Sequence, residues 1–461
     1  MKKEYTIETR IEAPLNSEIR VYLDEYVVFY NKVYRKMWHE MTSKDHKKHF
    51  SSKSKYITYI CDKYHLLKRT VNSIYFDVDG RMKSYKELKK TERKELIIKI
   101  AEQEDKVCSL KNNINTLKPK VASNKATNDE LKKYRRYKFR LYNAQNRLNR
   151  MRQCLSNLEY AIEHDIYSLG FGGKRMFRKQ YHLKVNKYKT FTKWKNEYHK
   201  ARDTNIYYVG SSDETCGNQL LQMSYDDASD TFSIKLRKEY NYCEDENKHI
   251  TLHGITFKHL HDELVNVVKS YGNKPISPLT YRFKRRGTRW YLQVIFKIET
   301  VEYLTRRSNG TIGLDYNDGF IEMAETDEKG NLCHLEHYPL RYHGTGNRAK
   351  SEIEETISMI VNYSLEKGKD IIIEDLDFKK KKSKVRKNKK YNKMIHMFDY
   401  SRYKKTMENT CHRRKVGLVK VNPYNTSKIG RMKYSNQKKL TVHQSAGYVI
   451  ARRGQGYTDR I

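Results

Sequence analysis

The sequence contains no uninterrupted apolar run of the ~18 residues a membrane-spanning helix needs. Its first residues, MKKEYTIETRIEAP, alternate where a secretory leader would carry an apolar core. A membrane protein and an exported one are therefore not expected, and the chain reads as cytosolic. Cysteine is sparse: the seven (Cys61, Cys108, Cys154, Cys216, Cys243, Cys333 and Cys411) are scattered, and no pair has CxxC spacing. That excludes a disulfide framework and a zinc ribbon, and fits a reducing compartment. Proline is scarce, at 6 in 461 residues, and acid is short of base, with 55 Asp plus Glu against 94 Lys plus Arg. The resulting formal charge of +39 is tolerable when a polyanion neutralises it, so nucleic acid is the expected partner.

What the chain has in quantity is tyrosine, 38 residues of it, much of it among lysines and arginines. Such mixtures suit base stacking, but tyrosines at helical spacing more often fill a core. The length exceeds what one core can organise, so two to four domains are expected. Tyr5, Ile7, Thr9 and Ile11 alternate as in a half-buried strand. Ile19, Leu23, Tyr26, Tyr30, Val33 and Met37 then follow helical spacing after Asn16. Ile100, Val107, Leu110, Ile114 and Leu117 form one heptad stripe, and Leu141, Ala144, Leu148, Met151, Leu155 and Leu158 form another. Pro119 and a polar stretch separate them, and Thr127 with Glu130 forms a capping box, which predicts an antiparallel helical hairpin. Its second arm, KKYRRYKFRLYNAQNRLNR, is strongly basic with few acidic partners, as a nucleic-acid-facing helix would be. The segment LGFGGKRMFRKQ follows, where glycines free the backbone to approach a phosphate and Lys174, Arg175, Arg178 and Lys179 could pair with it.

From about residue 205 the period returns to two. Short strands over 206–209, 231–236, 250–252, 280–283 and 289–297 predict a small β-barrel, with the basic turn Lys284, Arg285 and Arg286 before its aromatic strand. The N-terminal strand has no local partner and is expected to join that barrel, leaving the helical region inserted between. The C-terminal part changes order again: strands over 311–316, 320–326 and 332–338, a helix over 353–365, a strand over 371–374, a helix over 400–414, a strand over 417–421 and a last helix from Val442. Three antiparallel strands followed by alternating helices and parallel strands predict a ribonuclease-H-like α/β domain.

Two carboxylates, Asp315 and Glu374, end apolar runs of that domain. A carboxylate at the end of a hydrophobic strand costs desolvation unless a cation or donor meets it, so the pair predicts a divalent metal site of the kind that hydrolyses phosphodiesters. Thr441 and Gln444 have capping-box spacing, which puts His443 in the first turn of the last helix. The helix N-terminus disfavours imidazolium, so His443 is expected to be neutral and able to ligate. Asp459 is the other candidate for a third acid.

Together GLDYND, IIIEDLDF, VNPYNTSKIG and LTVHQSAGYVIARRG resemble the split RuvC domain of TnpB, the transposon-associated RNA-guided nuclease related to compact type V CRISPR effectors. The resemblance covers about 150 C-terminal residues. It implies a multidomain α+β chain: first strand of a wedge β-barrel (1–15), helical recognition domain (16–198), the rest of the wedge (199–305) and the RuvC-like nuclease (306–461). It implies Asp315, Glu374 and His443 as catalytic metal ligands, with two Mg2+ or Mn2+ ions. It also implies guide RNA and target double-stranded DNA as partners in a prokaryotic, nucleoid-associated cytosol, with no membrane. The oligomeric state stays open between a monomer per guide RNA and a dimer. Phosphate contacts are expected from the two basic clusters above and from Arg452 and Arg453. Most of the family carries an aspartate in the third motif, after a four-cysteine zinc ribbon. Here NPYNTSKIGRMKY has no cysteine, so no zinc is expected, and His443 stands at the aspartate position. A basic run over 379–390 is a further candidate for holding single-stranded substrate. A CRISPR-guided effector, or a guided repressor whose nuclease has decayed at His443, would look similar.

Overall fold

A computed structural model describes residues 2–43, 50, 52–243, 247–272, 276–299, 302–317, 319–342, 346–376 and 400–459. The chain divides into two compact units, Lys2–Ile298 and Glu299–Ile461, and its class is mixed α/β. The basic run over 379–390 lies outside the described residues.

The first unit runs β1 (Lys2–Arg10), α1 (Glu18–Thr42), α2 (Lys53–Tyr64), α3 (Lys68–Ala122), α4 (Asn128–Glu163), α5 (Lys174–Arg178), α6 (Phe191–Arg202), β2 (Asn205–Tyr208), β3 (Leu221–Asp226), β4 (Thr231–Arg237), β5 (His249–Ile255), α7 (His261–Lys269), β6 (Thr280–Arg286) and β7 (Arg289–Glu299). The N-terminal strand does find its partner across the helical insertion, because the first sheet has the order β1-β7-β6-β2. The remaining strands form a second sheet, β3-β4-β5, and among the described residues no ladder joins the two. The expected barrel is therefore seen as two separate antiparallel sheets. β3, which was not expected although LQMSYD alternates as a half-buried strand does, pairs with β4 from Leu221↔Leu236 to Asp226↔Thr231.

Twelve of the described tyrosines are buried in the core. Tyr22, Tyr26 and Tyr30 on α1 are buried with Tyr208 and Tyr281 of the sheet, and the rings of the three α1 tyrosines meet stacked or edge-on. The hairpin forms between α3 and α4, with Ile100, Val107 and Leu110 packed on Ala144 and Leu148. The Thr127–Glu130 capping box starts α4 as expected. The first arm, α3, begins at Lys68, well before the heptad stripe, and one correction concerns its end: Pro119 lies inside its last turn, and the polar stretch after Ala122 alone separates the arms.

The second unit runs β8 (Thr311–Asn317), β9 (Phe320–Thr326), β10 (Leu332–Pro339), α8 (Asn347–Lys367), β11 (Asp370–Glu374), α9 (Tyr400–Arg413), β12 (Leu418–Val421), α10 (Thr426–Ile429), a π-helical turn (Gly430–Ser435), α11 (Asn436–Lys438) and α12 (Val442–Gly454). Its five strands are ordered β10-β9-β8-β11-β12. The first three pair antiparallel, and β11 lies parallel to both β8 and β12. Alternation sends Ile312, Leu314, Ile321, Met323, Ile371 and Ile373 to one face, against α8 and α9. The opposite face carries Gly313 and Ile372, and α12 packs there through Ile450.

On the α8 face Glu325 is almost wholly buried and accepts hydrogen bonds from Tyr363 and Lys369. Burial pushes its carboxyl up, but those hydrogen bonds and the Lys369 charge outweigh it and hold the group below the usual carboxylate range. Because the folded pKa lies below the unfolded one, the stability Glu325 contributes is full above the ordinary carboxylate pKa and is lost as pH falls through the depressed value. Glu325→Gln, which leaves the lysine without its charge partner, should destabilise this unit by ~3–5 kcal/mol at neutral pH. Denaturant melts at pH 7 and under acid should show the variant gap closing on acidification. A gap that persists unchanged in acid would show that the loss is steric.

Candidate active site

Asp315 lies near the end of β8, and cross-strand register sets what surrounds it. The antiparallel ladder pairs it directly with Glu322 of β9, and Glu322 in turn pairs with His337 of β10. On the other side the parallel ladder matches Ile373 to Leu314, so Glu374 is the next step along β11 beside Asp315. His337, Glu322, Asp315 and Glu374 thus form one row across four strands, on the face that packs against α12. Asp315 is 8% exposed and Glu322 5%.

The last helix reaches this row from above. Thr441 accepts from the Gln444 amide at 3.2 Å while the Gln444 side chain accepts from the Thr441 amide at 3.0 Å. That capping box fixes the first turn and directs His443 to the sheet, where its Nδ1 lies 3.0 Å from Asp315 Oδ2. Asn317 donates to the same oxygen at 2.9 Å. Glu374 is oriented separately: Thr426, at the start of α10, donates to its Oε1 at 2.5 Å, and the Tyr400 hydroxyl donates to its main-chain carbonyl.

His443 is shifted in the direction opposite to the one its helix terminus alone implies. The hydrogen bond to Asp315 raises its pKa above the ordinary imidazole value, outweighing the opposing effect of partial burial, and Asp315 and Glu322 both add Coulomb attraction. The sequence showed the helix terminus, which disfavours charge, but not the two carboxylates facing it.

Glu322 is a site residue that the sequence did not single out. Its Oε1 lies 2.8 Å from His337 Nδ1, while Oε2 is buried with no hydrogen-bond partner. The signal was present in FIEMAET, where strict alternation puts Glu322 and Glu325 on opposite faces. Phe320 links the two imidazoles, its ring centroid 5.2 Å from that of His337 and 5.1 Å from that of His443. Asp459, by contrast, is engaged elsewhere: Tyr434 donates to it at 2.7 Å and Arg452 at 3.1 Å. As placed, no three His, Cys, Asp or Glu side chains among the described residues converge on one point. The donor chemistry nevertheless suits a hard divalent ion: carboxylates side by side, and a buried carboxylate oxygen left without a donor.

The basic residues divide by what they already hold. Arg286 forms a two-pronged pair with Glu8 at 2.7 and 2.8 Å, and Arg285 reaches Asp24 and the Asp203 carbonyl. Lys284 is half-buried on the same strand. Arg452 is held by Asp459 and the Gly330 carbonyl, and Arg453 by the carbonyls of Asn422 and Tyr424. Lys174, Arg175 and Arg178 lie on α5, where Lys174 and Arg175 stand exposed, with Lys179 beside them over the Tyr188 ring. On α4, Phe139 and Tyr142 are exposed among Lys138, Arg140 and Arg147. Replacing Lys174, Arg175, Arg178 and Lys179 together by alanine should weaken nucleic-acid binding and flatten its salt dependence, by a slope of ~0.9 for each duplex phosphate no longer neutralised. Fluorescence anisotropy across a salt series checks this; an unchanged slope would return the segment to a connector.

No family model and no curated protein matches the chain. Among solved structures, a cryo-EM structure of a CRISPR-Cas12f ternary complex aligns over 97% of this chain and 98% of its own, at 12% identity and a TM-score of 0.23. A crystal structure of the Cas12i1 R-loop complex after target DNA cleavage aligns over 86% of this chain and 49% of its own, at 10% identity and a TM-score of 0.23. Likenesses that weak do not bear on the fold or the activity, which rest on the residues described above. Among the described residues no helix is long and apolar enough to cross a membrane.

Proposed function

We propose that this chain is an RNA-guided DNA endonuclease of the TnpB kind, cleaving through a RuvC-like, divalent-metal-dependent site. The observation that carries the nuclease half is the placement of Asp315 and Glu374 side by side on β8 and β11, with His443 of α12 hydrogen-bonded to Asp315. The strand order β10-β9-β8-β11-β12 supports the ribonuclease-H-like reading of this unit. The guided half rests on the resemblance in GLDYND, IIIEDLDF and LTVHQSAGYVIARRG and on the +39 charge. The first unit, with its two sheets and long hairpin, takes the wedge and recognition roles in this reading.

Asp315, Glu374 and His443 would hold Mg2+ or Mn2+, which when bound supplies water activation and stabilisation of the leaving oxygen. Around them, Asn317 orients Asp315, Thr426 orients Glu374, and the basic surfaces hold the phosphate backbone. Base pairing with the guide would supply the sequence specificity, with the protein reading a short adjacent duplex motif.

A second reading, a guided DNA-binding repressor with a decayed nuclease, is favoured by one observation. His443 occupies an oxygen of Asp315, and the donors as placed do not converge. Sequencing RNA that copurifies with the full chain identifies the guide, and incubating that complex with matching plasmid and Mg2+ or Mn2+ separates the readings. Linear or nicked product is expected; guide-dependent binding without any cleavage would establish the repressor instead.

A further inference from the structure

Two carboxylates set directly opposite each other on neighbouring antiparallel strands repel, and such pairs destabilise a sheet unless a cation lies between or beside them. Asp315 and Glu322 are paired in this way in the β8–β9 ladder, both nearly buried. Among the described residues, the charge partners of the two are imidazoles, His443 for Asp315 and His337 for Glu322, and neither a lysine nor an arginine forms an ion pair with either carboxylate. The second Glu322 oxygen, moreover, is buried with no hydrogen-bond partner, a costly state for a carboxylate oxygen.

We propose that Glu322 is a ligand of the divalent cation, contributing a third carboxylate beside Asp315 and Glu374; this rests on the metal reading given above. A site that carries a histidine where the resemblance expects an aspartate has lost one negative charge. Glu322, on the strand next to Asp315 and in the same row, supplies it. His337 then acts as a positioning residue: it holds Oε1 from the solvent side and leaves Oε2 for the cation, as outer partners commonly do for ligating carboxylates. Phe320, packed against both imidazoles, keeps the two pairs in register.

The test is Mn2+ binding by the purified full chain, read from the electron paramagnetic resonance of free Mn2+, with melting in EDTA measured in parallel. Asp315→Asn should remove the tight site, and Glu322→Gln should weaken it by ~10- to 100-fold or more, at least what loss of an outer partner costs. In EDTA the Glu322→Gln chain should melt no lower than the unchanged chain, since a repulsion has been removed. If Glu322→Gln binds Mn2+ as the unchanged chain does while Asp315→Asn does not, Glu322 is only a partner for His337, and the proposal falls alone. If the unchanged chain and Asp315→Asn bind Mn2+ alike, the metal reading itself falls and takes the proposal with it. Should Glu322→Gln fail to fold, Glu322→Asp keeps the charge but retracts the oxygens, and unaltered Mn2+ affinity in that variant would overturn the assignment.

Discussion

Asp315→Ala and Glu374→Ala chains are expected to bind guide RNA and matching DNA as the unchanged chain does, yet to cleave at least ~1,000-fold more slowly, a loss of about 4 kcal/mol of transition-state stabilisation. Both effects follow from position. Each carboxylate sits at the exit of a strand whose preceding side chains are largely core, so removing it strips the site of charge without touching the exposed basic surfaces that hold phosphate. His443→Ala should lose cleavage too. His443→Asp should retain some activity and lower the Mg2+ requirement, because a carboxylate oxygen suits Mg2+ better than an imidazole nitrogen. Gel assays of plasmid cleavage across Mg2+ and Mn2+ concentrations check all four. Cleavage by Asp315→Ala at the unchanged rate would remove this row of residues from the chemistry.

The second large effect is expected at a residue with no side chain. Gly313 on β8 faces α12 so closely that a methyl group there would overlap the Gly447 carbonyl and the Ala451 amide, and would lie 2.8 Å from the Ala451 Cα. These are backbone atoms and cannot turn aside. Thr311, two residues earlier on the same face, donates to the Ala451 carbonyl at 2.9 Å, so the helix is tied where it rests. Gly313→Ala should therefore cost about 3 kcal/mol or more through overpacking. It should also abolish cleavage by lifting α12, and His443 with it, off Asp315. Hydrogen exchange should show weakened protection in α12 before the rest of the sheet. A Gly313→Ala chain that melts and cleaves normally would show that this packing is looser than described.

Much of this was legible because it is local. The β9 strand runs over 320–326 as its alternation implied, and both capping boxes formed, since each needs only two residues three apart. The row of His337, Glu322, Asp315 and Glu374 was only half legible. Asp315 and Glu374 announce themselves by ending apolar runs, whereas Glu322 sits inside one, and its pairing with Asp315 depends on the register between β8 and β9. The upward shift of the His443 pKa was hidden for the same reason: its carboxylate neighbours are 128 residues away for Asp315 and on another strand for Glu322. The start of α3 at Lys68 was hidden because its first turns bury Val71, Ile74 and Val78 in the same core as α1, a pattern unlike the heptads that follow.

A helix of 55 residues has a further consequence. At 1.5 Å per residue α3 is ~80 Å long. Beyond Ile100 the cluster it shares with α4 is separate from the core on which it begins. Folding free energy along such a rod falls off toward its tip, because each turn is supported only by the turn opposite. Shortening the hairpin by matched heptads from both arms, with the Thr127 cap moved down, should therefore leave the first unit's melting temperature nearly unchanged. What it alters is reach: every heptad removed draws the basic face of α4 back by ~10 Å.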